Sequence, residues 1–222
     1  MIASDLLARR RSIRAFRADP VPPDVLARIL AAAQEAPSWS NTQPYRLAVA
    51  QGTQRDRLAD ELTAAFDRGS ADLAPEIPLP VTYPPELQHR RQATGYGLYE
   101  TLGIAREDRA ARLAQMRRNF EFFDAPVVMF IFVHEALGQY AALDAGVFLQ
   151  SLMLAAVDEG LGTCAEGALA MFPGPVRRRF DVPEGYKLLC GLSLGYPAED
   201  RVNGFRPDRK TRDELLLPLV DG

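Results

Sequence analysis

At 222 residues the chain is long enough for one substantial core, or at most two small domains. With 47% hydrophobic and 25% charged residues it reads as an ordinary soluble globular protein. A formal net charge of −3 gives no global attraction to nucleic acid or to an anionic membrane surface, so any basic function is local.

In chain order, Met1 to Leu7 lacks the basic start and uninterrupted apolar stretch of a signal peptide, and a cytoplasmic location is the default expectation. Ser4 is placed to cap a short helix that leads into Arg10-Arg11-Ser12-Ile13-Arg14-Ala15-Phe16. Pro22 and Pro23 precede Val25, Leu26, Ile29, Leu30 and Ala33, an apolar stripe at helical spacing that ends near Ala36-Pro37. Tyr45 to Ala50 has the character of a strand, and Thr53 is placed to cap a helix through Leu58, Leu62 and Phe66 to Gly69. Pro75, Pro78, Pro80, Pro84 and Pro85 then forbid a regular helix or central strand, which leaves an extended surface connection. Helical patterns return at 86–102 and 107–119.

Pro126 to Val133 is a continuous apolar run of strand length, expected to lie centrally in a sheet with both faces covered. Ala141 to Val157 is apolar almost all round, as in a helix buried in a core or at a subunit interface. The first run is too short to span a bilayer, and Asp144, Gln150 and Ser151 interrupt the second. Lys187 to Tyr196 reads as another strand. The mixture fits a single α+β domain over residues 1–222. Cys164 and Cys190 sit in apolar surroundings without metal-ligand spacing and read as buried free thiols.

Four blocks carry chemistry. Arg10, Arg11, Ser12 and Arg14 gather guanidinium forks and a hydroxyl, the groups that hold a phosphate; Arg9 and Arg17 read as solvated. Pro37-Ser38-Trp39-Ser40-Asn41-Thr42-Gln43-Pro44 is a turn-forming run of amides and hydroxyls suited to the edge of a polar ring system; its plain alternative is a helix-to-strand loop. Thr163-Cys164-Ala165-Glu166-Gly167 and Asn203-Gly204-Phe205-Arg206-Pro207-Asp208-Arg209 complete the set.

These blocks, in this order, resemble the flavin-binding signature of the nitroreductase family of FMN-dependent oxidoreductases. The run Leu98 to Ile104 with Asn119-Phe120-Glu121-Phe122-Phe123 looks most like its nitrobenzoate-reductase-like branch. The resemblance implies a central, mostly antiparallel sheet flanked by helices, in an intertwined homodimer. It implies FMN held by Arg10, Arg11, Ser12, Arg14, Arg206 and Arg209, with Pro37, Ser38, Trp39, Ser40 and Asn41 reaching a cofactor bound mainly by the other subunit. The Glu166-Gly167 pair presents a backbone N–H near flavin N5 in that family, while the plain reading of Glu166 is a loop carboxylate. Hydride from NAD(P)H is expected to pass to a small-molecule acceptor, a nitroaromatic or a quinone, by a ping-pong mechanism with no catalytic side chain. A helical lid at about 70–123 is expected to set acceptor choice, with Tyr96, Phe120 and Phe123 lining the pocket; the alternative is that these rings are core.

Other readings fall away. Gly191-Leu192-Ser193-Leu194-Gly195 matches the serine-hydrolase nucleophile pattern, but both histidines, His89 and His134, precede Ser193, against the order that fold requires. His134-Glu135 lacks the second histidine of a zinc-protease helix, and no phosphate loop or dinucleotide glycine set is present. Neither a metal, a nucleic acid nor a membrane partner is expected. Another branch of the same superfamily, or a flavin carrier or sensor without turnover, stays open at this level.

Overall fold

In the computed structural model, which describes residues 2–220, a single sheet organises the chain. β1 (Tyr45–Gln51), β2 (Val127–His134), β3 (Gly162–Glu166) and β4 (Tyr186–Gly195) pair antiparallel in the spatial order β1-β2-β4-β3. The apolar run expected at the centre is β2, and all of it but His134 is buried. Pleating divides that run between two cores. Val128, Phe130 and Phe132 enter one, and Val127, Met129, Ile131 and Val133 enter the other. Each large apolar side chain buried this way contributes roughly 1.5–3 kcal/mol, so a strand apolar on both faces commits the fold to a covering layer on each side.

Helices supply those layers. α2 (Pro23–Gln34) begins with proline at its first position, where no N–H is missed. α3 (Gly52–Arg68) covers the first face with Leu58, Ala59, Leu62 and Ala65. The second face is covered by Leu26, Ile29 and Ala33 of α2 and by Ala141, Ala145, Phe148, Leu152 and Ala156 of α6 (Gly138–Asp158). A bulge in the β2–β4 ladder switches side-chain parity between Ile131 and Phe132. Leu188 therefore joins the first core while Leu192 and Leu194 join the second.

The remaining helices are α1 (Ala3–Arg9), α4 (Pro85–Leu102), α5 (Arg109–Arg117), α7 (Pro173–Arg177) and α8 (Arg212–Leu215). After a short turn at Gly69–Ala71, the proline stretch forms no regular element before Pro85. Neither α4 nor α5 buries a single residue. The span Glu135–Asp158 is long and apolar enough to cross a bilayer by composition, with a mean hydropathy of 1.5. One side of α6 packs on the sheet, while Tyr140 and Leu143 on it stay exposed.

Several expectations need correction. Ser4 lies inside α1, whose cap is Ile2, and Thr53 lies inside α3, which starts directly from β1 through Gly52 at φ 52°. Phe120 and Phe123 do not line a pocket: they are 0% and 1% exposed, in the first core. The cause is local backbone geometry. Phe122, Phe123 and Asp124 take left-handed φ values of 59°, 52° and 67°, in a tight turn beside the core. Phe120 stacks on Phe66 at 4.8 Å between ring centroids and meets Phe172 edge-on at 5.4 Å. Such a backbone costs of order 1–2 kcal/mol per residue and must be held. Arg55 holds it, donating to the Ala125 and Glu121 carbonyls at 2.9 and 2.6 Å with its guanidinium over the Phe122 ring.

Candidate active site

The arginine-rich segment after α1 lies beside β3 and the end of β4. Ser12 forms a parallel bridge to Thr163, Ile13 N–H donates to the Thr163 carbonyl at 2.9 Å, and Arg17 N–H donates to that of Tyr196 at 2.9 Å. Glycine permits this closeness. A Cβ on Gly162 would stand 2.5 Å from Ile13 Cγ1, and one on Gly195 the same distance from Pro126 Cδ with Phe16 beside it.

Asn203 joins the segment to the late block. It is 3% exposed, and its Oδ1 accepts from the N–H groups of Arg14 and Ala15 at 2.8 and 3.2 Å. Its Nδ2 donates to the carbonyls of Ala15 and Ala198 at 2.8 and 2.9 Å. One amide therefore uses its full donor and acceptor capacity to bring two parts of the chain, 189 residues apart, into register. Nothing periodic in the sequence marks Asn203 for this role; the Asn203-Gly204 pair, separated from Arg206 by one residue, is the available signal.

The result is a cavity of about 260 Å³ lined by Arg10, Arg11, Ser12, Arg14, Arg206 and Arg209, with Thr94 and Phe205 beside them. Among the described residues no carboxylate lines it. Burial, then the charges of Arg209 and Arg206, pull the Arg10 guanidinium below its ordinary pKa. Mutually repelling cations without an acid among them form an anion seat, and guanidinium forks match the doubly charged phosphate of FMN. At Thr94 the cavity adjoins a groove of about 740 Å³ between α4 and the tail, which extends the space beyond a bare phosphate.

Glu166 ends β3 and is no loop carboxylate: it is 2% exposed. Ser193 on β4 donates its hydroxyl to Glu166 Oε1, while Oε2 has no hydrogen-bond partner among the described residues. Burial drives its pKa up to about 8, against the opposing effects of the Ser193 hydrogen bond and the Arg14 charge. Gly167 follows, exposed, at the strand end. Ser193 is itself fully buried, and Gly191 is a close-packing position against Leu169, so the hydrolase-like pattern is structural here. Thr163 Oγ1 is a second buried polar atom without a hydrogen-bond partner among the described residues. Cys164 and Cys190 are free thiols, each pushed up to about 12 mainly by burial.

The loop from Pro37 to Gln43 is assembled elsewhere. Trp39, Ser40 and Asn41 are exposed, and no residue from Pro37 to Asn41 lines the arginine cavity of the same chain. Ser40, Asn41 and Gln43 adopt left-handed φ values of 48°, 56° and 45°. Asp144, a buried residue of α6, anchors the loop by accepting the Trp39 N–H with Oδ1 and Oδ2 at 3.0 and 3.1 Å. Ser38 Oγ accepts from Gln43 N–H at 3.0 Å, and the Trp39 ring lies 4.9 Å from that of Tyr140. In the sequence Asp144 was only an interruption of an apolar helix.

Of the aromatic residues expected near the acceptor, only Tyr96 remains accessible. It lies half-buried on α4, in a groove of about 620 Å³ against α5, with the Arg106 guanidinium 4.0 Å over its ring.

The sequence model of the nitroreductase family matches residues 7–196. The chain is 37% identical over 211 residues to nitroreductase NfnB of Mycolicibacterium smegmatis, covering 93% of this chain and 88% of that one. It is 35% identical over 209 residues to a 4-nitrobenzoate reductase of Pseudomonas putida, covering 92% and 90%. The crystal structure of the FMN and NADPH-dependent nitroreductase NfnB from sphigopyxis sp. strain HMH superposes with a TM-score of 0.94 at 36% identity, covering 100% of both chains.

Proposed function

The chain belongs to the nitroreductase family, and from that premise we propose that it is an FMN-dependent oxidoreductase. It takes hydride from NADH or NADPH and passes it to an electrophilic acceptor, a nitroaromatic or a quinone. Relatives named for nitroreductase and 4-nitrobenzoate reductase activity, and the FMN and NADPH dependence of the superposed enzyme, support the reading. The observation that carries it is the arginine cavity, where burial and like charge depress Arg10 and no carboxylate among the described residues lines the wall.

Bound FMN supplies reversible hydride acceptance at N5. The protein supplies the rest. Arg10, Arg206 and Arg209 neutralise the phosphate, Arg11, Ser12 and Arg14 bind the adjoining oxygens and ring edge, and Gly167 offers its backbone N–H beside Glu166. No side chain is assigned as catalytic. Binding, orientation and a partly dry pocket carry the rate.

The active unit in this reading is a homodimer in which Pro37, Ser38, Trp39, Ser40 and Asn41 complete the partner's site. Supporting it are exposed apolar side chains that a monomer would leave in water: Trp39 at 59%, Leu143 at 60% and Leu217 at 93% exposure. Residues 1–222 act as one FMN-binding domain, and the segment at about 70–123 serves as a lid in which Tyr96 meets the acceptor. Donor and acceptor then use one flavin face in turn, a ping-pong sequence.

The test is a visible spectrum of the purified protein followed by anaerobic addition of NADH and NADPH. Bound flavin that bleaches supports the proposal. A colourless protein that takes up no added FMN overturns it.

A further inference from the structure

We propose that Glu166 is a neutral carboxylic acid in the resting protein and that its proton is coupled to the charge of the neighbouring flavin site, making the Glu166–Ser193 pair a buried proton store. The coupling rests on the FMN reading above; the neutrality of the acid does not.

The geometry argues for neutrality. A buried carboxylate is tolerated when both oxygens are well supplied with donors or when a cation pairs with it. Ser193 alone supplies donors to Glu166, through its hydroxyl on Oε1 and through its backbone, and among the described residues nothing is bonded to Oε2. The groups that act on it come from three directions. Arg14, from the segment beside β3, acts through space without forming an ion pair, and it opposes the neutral form. Cys164, its neighbour on β3, and Cys190, on β4, are thiols held near 12 and so carry no charge at neutral pH. Ser193 on β4 is the remaining polar contact, and it too favours the ion. Burial outweighs Arg14 and Ser193 together, and the acid titrates near 8.

The coupling follows from where the pair sits. Glu166 ends the strand whose Thr163 bridges to Ser12, and it feels Arg14; both are residues of the proposed cofactor site. Ionisation releases one proton to solvent and leaves one negative charge on Glu166. Hydride transfer from the nicotinamide brings two electrons and one proton into the site and leaves oxidised nicotinamide behind. Added negative charge disfavours a second anion nearby, so the carboxyl binds its proton more tightly once the site is reduced. From about pH 8 up to its raised pKa in the reduced state, the carboxyl therefore holds one proton more in the reduced protein than in the oxidised one, in addition to the proton that arrives with the hydride.

Two measurements test this. The first is the flavin midpoint potential as a function of pH in the holoprotein and in Glu166→Gln, which keeps shape and hydrogen bonding but cannot ionise. One extra proton for two electrons makes the equilibrium tenfold more sensitive per pH unit, a slope steeper by about 30 mV per unit. The steepening is expected above pH 8 in the native protein and not in Glu166→Gln; identical slopes from pH 7 to 9.5 would overturn the proposal. The second is the infrared carbonyl band of a protonated carboxyl, which needs no flavin. A band present at pH 7, missing in Glu166→Gln and titrating near pH 8 is expected. Ser193→Ala, which removes the hydroxyl's hydrogen bond that favours the ion and keeps the backbone one, should move that midpoint upward; an unmoved midpoint counts against the pair. Absence of the band at pH 7 defeats the proposal and leaves the FMN assignment standing. The band in a protein that binds no FMN defeats the FMN assignment and, with it, the coupling.

Discussion

Replacing Asp144 with alanine should release the loop from Pro37 to Gln43 while leaving the sheet intact. The Asp144 carboxylate is 4% exposed and accepts the Trp39 N–H with two oxygens at 3.0 and 3.1 Å. A hydrogen bond to a charged group contributes about 1.5–3 kcal/mol. The anchor works against stored strain, because Ser40, Asn41 and Gln43 sit at positive φ. Sparsely populated backbone of this kind costs on the order of 1–3 kcal/mol per residue, so the loop relaxes once the anchor is gone. A net loss of about 2 kcal/mol lowers Tm by roughly 4–8 °C in a domain of this size. Trp39 is the chain's one tryptophan, so its emission reports the loop directly. Urea unfolding, acrylamide quenching of Trp39 and FMN titration are to be run on Asp144→Ala and Asp144→Asn. Quenching should rise and FMN affinity fall in the alanine variant, with asparagine intermediate because one oxygen acceptor survives. If quenching, stability and affinity all match the native protein, Asp144 does not position the loop and the strain argument fails with it.

Further outcomes follow from the same structure. Arg10→Ala and Arg209→Ala should each weaken FMN by about 1.5–3 kcal/mol, roughly 10- to 150-fold, in a fluorescence titration; unchanged affinity in both removes the phosphate assignment. Phe120→Ala should destabilise the fold by about 3–5 kcal/mol, because it opens a cavity among Phe66, Phe172 and their neighbours; a stable variant with altered acceptor preference would restore the pocket reading. Light scattering should find a dimer, and double-reciprocal plots for NAD(P)H and a nitroaromatic should be parallel; an active flavin-saturated monomer or intersecting lines would oppose these points. Glu166 also sets a pH trend in stability. Its folded pKa of about 8 lies above the ordinary 4.5, so the unfolded chain ionises first. The folded state then binds the extra proton, and stability falls as pH rises through that window, by up to about 5 kcal/mol. Denaturation at pH 5 and pH 8 should show the fall, with Glu166→Gln flattening it.

The periodic elements were legible because their signal is local. The run from Val127 to Val133 is apolar at every position, which only a strand covered on both faces accommodates, and β2 is that strand. The stripe of α2 and the proline-broken stretch after Gly69 were equally readable, since helical spacing and proline geometry need no distant partner. The arginine blocks pointed to one anion site through their composition and order. Their meeting depends on Asn203 and on the missing side chains of Gly162 and Gly195, none of which is a periodic signal. β3 is not legible in the sequence because Gly162 to Glu166 has no strong strand pattern of its own; pairing with β4 makes it a strand and buries Glu166. The cluster of phenylalanines read alike for a pocket and for a core. Side-chain direction decided it, set by three left-handed residues that Arg55 stabilises from α3. Residue type therefore declared which chemistry the chain can perform, while burial and backbone direction, which exist only after folding, decided which of those groups face a ligand, face each other or keep a proton.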